Sequence, residues 1–345
     1  MKTKKGSNTA LTDTEETEIL TWLIGSIKRG SPPGSLDVLD SANKILKRRI
    51  GVETTLGRGW LQRFIGRHKL TYRVPEKLNK ASANINRQNI EGWFSKVSGY
   101  IISQPEFLEA MCDSTRIFNA DESMFRLSSS AAQVLAPKGM TNLFEVTKDE
   151  KAGLTVMATF GADGKACKPL IIFPQERVSK AFHEAFPHDK ANYEITKSGW
   201  MDSTTFCSYL SRFAEEVRQY GIKFPIVLFV DNHSSHVCLE ASETADKLGI
   251  KLVFLYPNST FLLQPADVAI FRCIKSLWRE ENRIGKHNRI SITKQNFASI
   301  FIKAFERIPP NVIKMGFFKT GIFPWDSSNV DYSKCLGKNF SSKNI

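Results

Sequence analysis

Three aspartates sit where an α/β fold can bring carboxylates together. Asp121 ends the stretch 115–121, which reads as a short apolar strand. Asp231 ends the apolar run 225–230, and Asp267 falls in the first turn of a helix opened by Pro265. Ligands of open α/β sheets bind beyond the carboxyl ends of the strands. Three hard oxygen ligands at one rim suit Mg²⁺ or Mn²⁺. Two such ions, roughly 3.5–4 Å apart, clamp a phosphodiester for in-line attack. Singly, each acid has an ordinary reading: a helix-dipole partner for Asp267, a turn former for Asp231, a strand-end acid for Asp121. Their conjunction, in this order and on these elements, points to phosphodiester chemistry. The loop after Asp231 holds His233 and His236 with no companion cysteine, so they read as orienting the loop or touching a phosphate rather than as zinc ligands. Ser234 and Ser235 lack the GxSxG-type turn of a serine nucleophile.

The elements that must position these acids follow from periodicity. Strands are read at 115–121, 132–136, 153–160, 168–173, 225–230 and 250–255, with a turn at 162–165. Helices are read at 204–220, where Phe206, Leu210, Phe213 and Val217 share a face, at 237–248, and from Pro265 to about Asn282. This order predicts a mixed α/β sheet with helices on both faces.

Ahead of the sheet the texture is helical and basic. The net charge is +13, of which residues 1–90 carry +9. Thr12 and Glu15 form a capping-box pattern, followed by Ile19, Leu20, Leu23, Ile24 and Ile27 at helical spacing. A second helix starts at Ser35, with Leu36, Leu39, Ala42, Ile45 and Leu46 inward. A third carries Trp60, Leu61, Phe64 and Ile65 on one face and Arg58, Gln62, Arg63 and Arg67 on the other. Three short helices, the last with a basic outer face, predict a helix-turn-helix unit that binds DNA, since Arg pairs with phosphate and guanine and Gln reaches adenine. Residues 74–88 read as a linker and the next helix turns Ile90, Trp93, Phe94, Val97 and Ile101 inward. The six cysteines are scattered without a CxxC pair, which argues against a zinc site or a disulfide framework. No segment approaches the ~18 apolar residues of a membrane helix, and the expectation is a reduced intracellular protein with no membrane partner.

The residues also resemble a known family. Phe118–Ser123, Val230–His236 and Leu263–Phe271 are similar to the three catalytic motifs of the DDE endonuclease superfamily, most of all those of the pogo and Tigger-type transposases of the mariner group. Gly59–His68, with Leu70–Arg73 after it, resembles the CENP-B-type helix-turn-helix that precedes this core, and Gly316–Pro324 resembles the closing motif. The resemblance implies a ribonuclease-H-like α/β core behind an all-α helix-turn-helix domain. It implies that Asp121 bridges two Mg²⁺ or Mn²⁺ ions while Asp231 and Asp267 each complete one ion's shell. Hydrolysis at a transposon end would then be followed by attack of the freed 3′ hydroxyl on target DNA. Double-stranded DNA is the implied partner, a homodimer on paired ends the implied assembly, and the nucleus the implied location. The residues expected to meet DNA are Arg58, Gln62, Arg63, Arg67, His68, Lys69, Arg73 and, two turns beyond Asp267, Lys275. The expected layout is a loose segment 1–10, the helix-turn-helix 11–75, a connecting region 76–114, the endonuclease 115–326 and a tail 327–345. Two features depart from the family. A further N-terminal helix-turn-helix is usual, so the DNA reader is expected to be incomplete; and Ala266 stands where leucine is common. Alternative readings are a host-adopted DNA-binding protein without catalysis and a metal-dependent phosphatase or other nuclease.

Overall fold

A computed structural model describes residues 10–28, 32–51, 55–74, 79–127, 153–233 and 236–335. The expected strand 132–136 and Ser234 and Ser235 lie outside them. The chain divides into two compact units, residues 1–87 with 335–345 and residues 88–334.

The first unit contains α1 (Asp13–Lys28), α2 (Ser35–Ile50), α3 (Arg58–Arg67) and the short α4 (Lys80–Ala83). The capping box closes as the sequence predicts: the Thr12 N–H donates to Glu15 Oε2 at 2.7 Å, and the Glu15 N–H to Thr12 Oγ1 at 3.3 Å. Helix α2 ends at Gly51, whose φ of 72° is the left-handed geometry that only glycine adopts without strain. Asn43 sets the turn into α3: its side-chain oxygen accepts from the Leu56 N–H and its amide donates back to the Leu56 carbonyl. Leu11, Ile19, Leu23, Val38, Ala42, Leu46, Trp60, Leu61 and Phe64 form the core. Leu36 is 76% exposed rather than inward. The buried stripe of α2 runs Val38, Ala42, Leu46 at four-residue spacing, and Leu36 in the first turn falls outside it.

The second unit begins with α5 (Arg87–Ile102) and α6 (Pro105–Met111). The sheet strands are β1 (Ile117–Arg126), β2 (Gly153–Gly161), β3 (Leu170–Pro174), β4 (Asn192–Thr196), β5 (Ile226–Val230) and β6 (Ile250–Phe254). Between them lie α7 (Lys180–Ala185), α8 (Ser203–Gln219) and α9 (Leu239–Leu248). After β6 come α10 (Thr260–Leu263), a π turn (Ala266–Ile270), α11 (Phe271–His287), α12 (Phe297–Phe305) and α13 (Pro310–Lys319). The strand order is β4-β3-β2-β1-β5-β6. β2 runs antiparallel to β1 and β3; the β1–β5, β5–β6 and β3–β4 pairs are parallel. Helices α8 and α9 cover one face over Phe118, Ala120, Met157, Ile172, Leu228 and Val230. On the other face Trp278 of α11 and Phe301 of α12 meet Phe125, and Trp325 meets Phe229. The mixed sheet with helices on both faces is therefore the one expected.

Three details differ. β1 continues five residues beyond Asp121, because β2 supplies backbone partners as far as Arg126↔Gly153. The helix expected from Pro265 is interrupted by the π turn, and its continuation reaches His287. α7, β4, α12 and α13 were not legible: β4 is an edge strand, half-buried at every position, and shows no clean alternation.

Candidate active site

The parallel ladder between the two central strands sets the site. Ile117, Phe118 and Asn119 pair with Val227, Leu228 and Phe229. Asp121 and Asp231 each follow two residues after the last pair, so the ladder delivers them at equivalent heights. Side chains alternate along a strand. Both carboxylates therefore leave on the face of Asn119 and Phe229, the one covered by α11 rather than by α8 and α9.

Asn119 ties that face together. It is fully buried. Its amide donates to the Phe229 carbonyl at 2.9 Å, and its side-chain oxygen accepts from the Ala266 N–H at 3.0 Å. Phe229 lies two residues before Asp231, and Ala266 directly precedes Asp267. Gln264 adds a second tether by donating to the Ala120 carbonyl at 3.3 Å. Asp267 thus projects from a π turn pinned to β1, a helix irregularity that recurs at functional sites. Helix α13 backs this turn so closely that a Cβ at Gly316 would stand 3.0 Å from the Pro265 carbonyl. The closing motif, read at Gly316–Pro324, is accounted for in part by this contact.

His236 fastens the other strand end. Its ring is buried against Phe206, 4.3 Å between centroids. Nδ1 lies 2.8 Å from Asp231 Oδ1, and Nε2 lies 3.2 Å from Glu122 Oε1. Burial disfavours the imidazolium, but the two carboxylates outweigh it and raise the His236 pKa to about 9. Both ring N–H groups therefore donate at neutral pH. Burial likewise opposes ionisation of Asp231, yet the hydrogen bond and charge of His236 hold its carboxyl below the usual range. Asp121 is pushed well up, first by burial and then by Asp267 and Asp231. Asp267 is also raised by burial, against a hydrogen bond from Thr260 and the charge of Lys275.

The three carboxylates therefore sense one another as a cluster of like charge. Among the described residues, no three ligating side chains stand within metal-holding distance. The donor set is nevertheless all hard oxygen, the chemistry Mg²⁺ and Mn²⁺ require. One oxygen of Asp231 is taken by His236 and the His233 N–H, and one oxygen of Asp121 by the Glu122 N–H, 2.8 Å away.

In the helical unit Arg58, Gln62, Arg63, Lys69 and Arg73 are exposed. Arg67 and His68, also expected on DNA, both bond the buried Glu16, and Arg67 remains exposed. Arg67 makes a bidentate pair with it, and His68 Nε2 lies 2.9 Å from Glu16 Oε2. An unpaired carboxylate in that core would be costly, and these two side chains satisfy it. Sequence reasoning missed Asn119, Gln264, Glu122 and Glu16. Asn119 and Glu122 stood inside the motif Phe118–Ser123 and Gln264 inside Leu263–Phe271 without a role assigned to them, and Glu16 was signalled as an acid on the inward face of an apolar helical stripe.

Comparison with known proteins defines the class. Residues 12–74 match the Tc5 transposase DNA-binding domain, and residues 151–317 match the DDE superfamily endonuclease, a span that includes Asp231 and Asp267 and begins after Asp121. The fold is similar to a pre-cleavage Mos1 transpososome (TM-score 0.56, 11% identity, 99% of this chain and 83% of that one). It is also similar to the Mos1 strand transfer complex (0.55, 11%, 99% and 82%) and the Mos1 mariner paired-end complex with Mn (0.53, 12%, 99% and 83%). The chain thus joins a segment matching the Tc5 transposase DNA-binding domain to one matching the DDE superfamily endonuclease, on a fold similar to that of the Mos1 complexes. That pairing agrees with the resemblance to the pogo, Tigger and mariner group. A curated relative, the MFS-type transporter clz9 of Cochliobolus lunatus, is 24% identical over 298 residues, covering 85% of this chain. This chain spans only 28% of that relative's length. No helix among the described residues is long and apolar enough to cross a membrane.

Proposed function

We propose that this is a transposase-derived nuclear protein that binds double-stranded DNA and cuts and joins its strands with divalent metal ions. It would act as a homodimer on paired DNA ends. The observation that carries this reading is the delivery of Asp121 and Asp231 by adjacent strands at one height, with Asp267 hung from the same strand through Asn119.

Asp121, Asp231 and Asp267 are the residues that would hold Mg²⁺ or Mn²⁺. Bound there, the ions supply Lewis-acid polarisation of a phosphate and a nucleophilic water or hydroxyl at neutral pH. The protein's part is orientation. The imidazolium of His236 fixes which oxygen of Asp231 is free and keeps that carboxylate ionised. Asn119 and Gln264 fix the distance from β1 to the turn bearing Asp267. Lys275 stands near enough for its charge to act on Asp267, where it can also meet a phosphate. Arg58, Gln62, Arg63, Lys69 and Arg73 present the outer face of the helix-turn-helix to the duplex.

The test is nicking of supercoiled DNA in Mg²⁺. The full chain should nick; Asp231→Asn should lose nicking while keeping DNA affinity. Equal nicking by both would refute the assignment. Binding without nicking by the unaltered chain would instead identify a DNA-binding descendant.

A further inference from the structure

Helix α11 carries a charge pattern that the site above does not use. Arg272, Lys275, Arg279, Arg283 and Lys286 recur at three- and four-residue spacing and are all exposed. At 3.6 residues per turn they fall within an arc of roughly 80°. No acid shares that arc. The acids of the helix, Glu280 and Glu281, lie off it and are both taken by Arg307, at 2.8 and 2.9 Å. Among the described residues, none of Arg272, Lys275, Arg279 or Arg283 has a carboxylate at ion-pair distance.

A solvated helix face ordinarily mixes signs. Like charges four residues apart, as in Lys275/Arg279 and Arg279/Arg283, destabilise a helix. The outward residues of α9 include Glu240, Glu243, Asp246 and Lys247, and on α8 Arg212 is answered by Glu194 at 2.7 Å. Among the described residues, Arg272, Arg279 and Arg283 have no such answer. The stripe also has a definite origin. α11 continues directly from the turn that holds Asp267, so the stripe begins within two turns of that carboxylate.

We infer that the exposed face of α11 is a rail for one phosphate backbone of duplex DNA, leading away from the carboxylate cluster. This rests on the DNA-cutting reading and adds to it the path of the substrate. From Arg272 to Arg283 the rail is about 16 Å long, so it tracks about five base pairs beside the scissile phosphate at ~3.4 Å per step. It reads no sequence, because it offers charge to phosphates and nothing to base edges.

The test measures the affinity of the full chain for a short duplex across a salt series. Each lost phosphate contact lowers the slope of log affinity against log salt by roughly 0.9. The Arg272→Ala/Arg279→Ala/Arg283→Ala variant should therefore lose about 2 to 3 units of slope. A control with the same loss of charge on other elements, Lys180→Ala/Lys223→Ala/Lys247→Ala, should keep the unaltered slope. Arg272→Lys/Arg279→Lys/Arg283→Lys should keep it too, which separates charge from an effect on folding. Equal slopes for the two alanine variants would overturn the rail, as would failure of the unaltered chain to bind duplex. Binding with the expected slope loss but no nicking by the unaltered chain would refute the nuclease reading and leave the rail in place.

Discussion

Asn119 and His236 do for the acids what the acids cannot do for themselves. Both are buried, and both spend their hydrogen bonds on the elements that carry Asp231 and Asp267. Removing Asn119 leaves the Ala266 N–H and the Phe229 carbonyl without their partner, at a cost of about 1–3 kcal/mol for each buried group. Asn119→Ala should therefore lower the melting temperature and weaken Mn²⁺ binding together. Asn119→Asp, which retains the acceptor for Ala266 but not the donor to Phe229, should fall between. Wild-type Mn²⁺ affinity in Asn119→Ala would contradict the tethering role. His236→Ala should cost about 10- to 100-fold in Mn²⁺ affinity, read by calorimetry, and an unchanged affinity would contradict its hold on Asp231. Neither role was fully legible in the sequence. An asparagine inside an apolar strand gives no sign of which neighbour it will bond. The pattern after Asp231 pointed His236 to the loop, but Glu122 entered only through the fold, 114 residues away.

At the scale of elements, the strand and helix periods located most of what positions the site. Residues 226–230 are apolar at every position and became a strand buried at every position. The four residues Phe206, Leu210, Phe213 and Val217 did form the buried face of α8. Irregular elements escaped because their cause is tertiary. The π turn is pinned by Asn119 and backed by Gly316, neither of which is local to it. Gly316→Val should push that turn off β1, costing about 1–3 kcal/mol as an overpacking change and reducing nicking more than DNA affinity. Full nicking by a folded Gly316→Val would show that the turn tolerates displacement. In the helical unit the basic third helix was legible, but its division of labour was not: Arg67 and His68 look like their exposed neighbours until Glu16 is placed beside them. Burial raises the pKa of Glu16, and the hydrogen bonds and charges of Arg67 and His68 reverse that, so the folded value lies below 4.5. The unfolded chain then binds more protons than the folded one, and stability from this carboxylate is complete above the ordinary glutamate range. It is lost as the pH falls below 4.5 through the depressed folded value. The acid limb of a thermal unfolding series should be flatter in Glu16→Gln than in the unaltered chain. Identical acid limbs would show that Glu16 contributes no such stability.

For the whole molecule, two units with different surfaces divide the work: a small basic helical unit, and a mixed sheet with acids at one edge of its central strands. Charge partition along the chain and the order of apolar runs pointed to a basic helical segment ahead of a mixed sheet. The placement of Asp121 beside Asp231 was not readable, since it depends on strand order, and β1 beside β5 is a long-range pairing that no local pattern specifies. Whether the acids act as one centre for divalent ions decides the function proposed for this chain. The most direct measurement is a Mn²⁺ titration of the full chain beside Asp121→Asn, by calorimetry or by the electron paramagnetic signal of the free ion. Mn²⁺ should bind the unaltered chain and be released by Asp121→Asn, with both proteins melting at similar temperatures. Equal binding by the two, or none by the unaltered chain, would contradict a metal centre built on Asp121, Asp231 and Asp267.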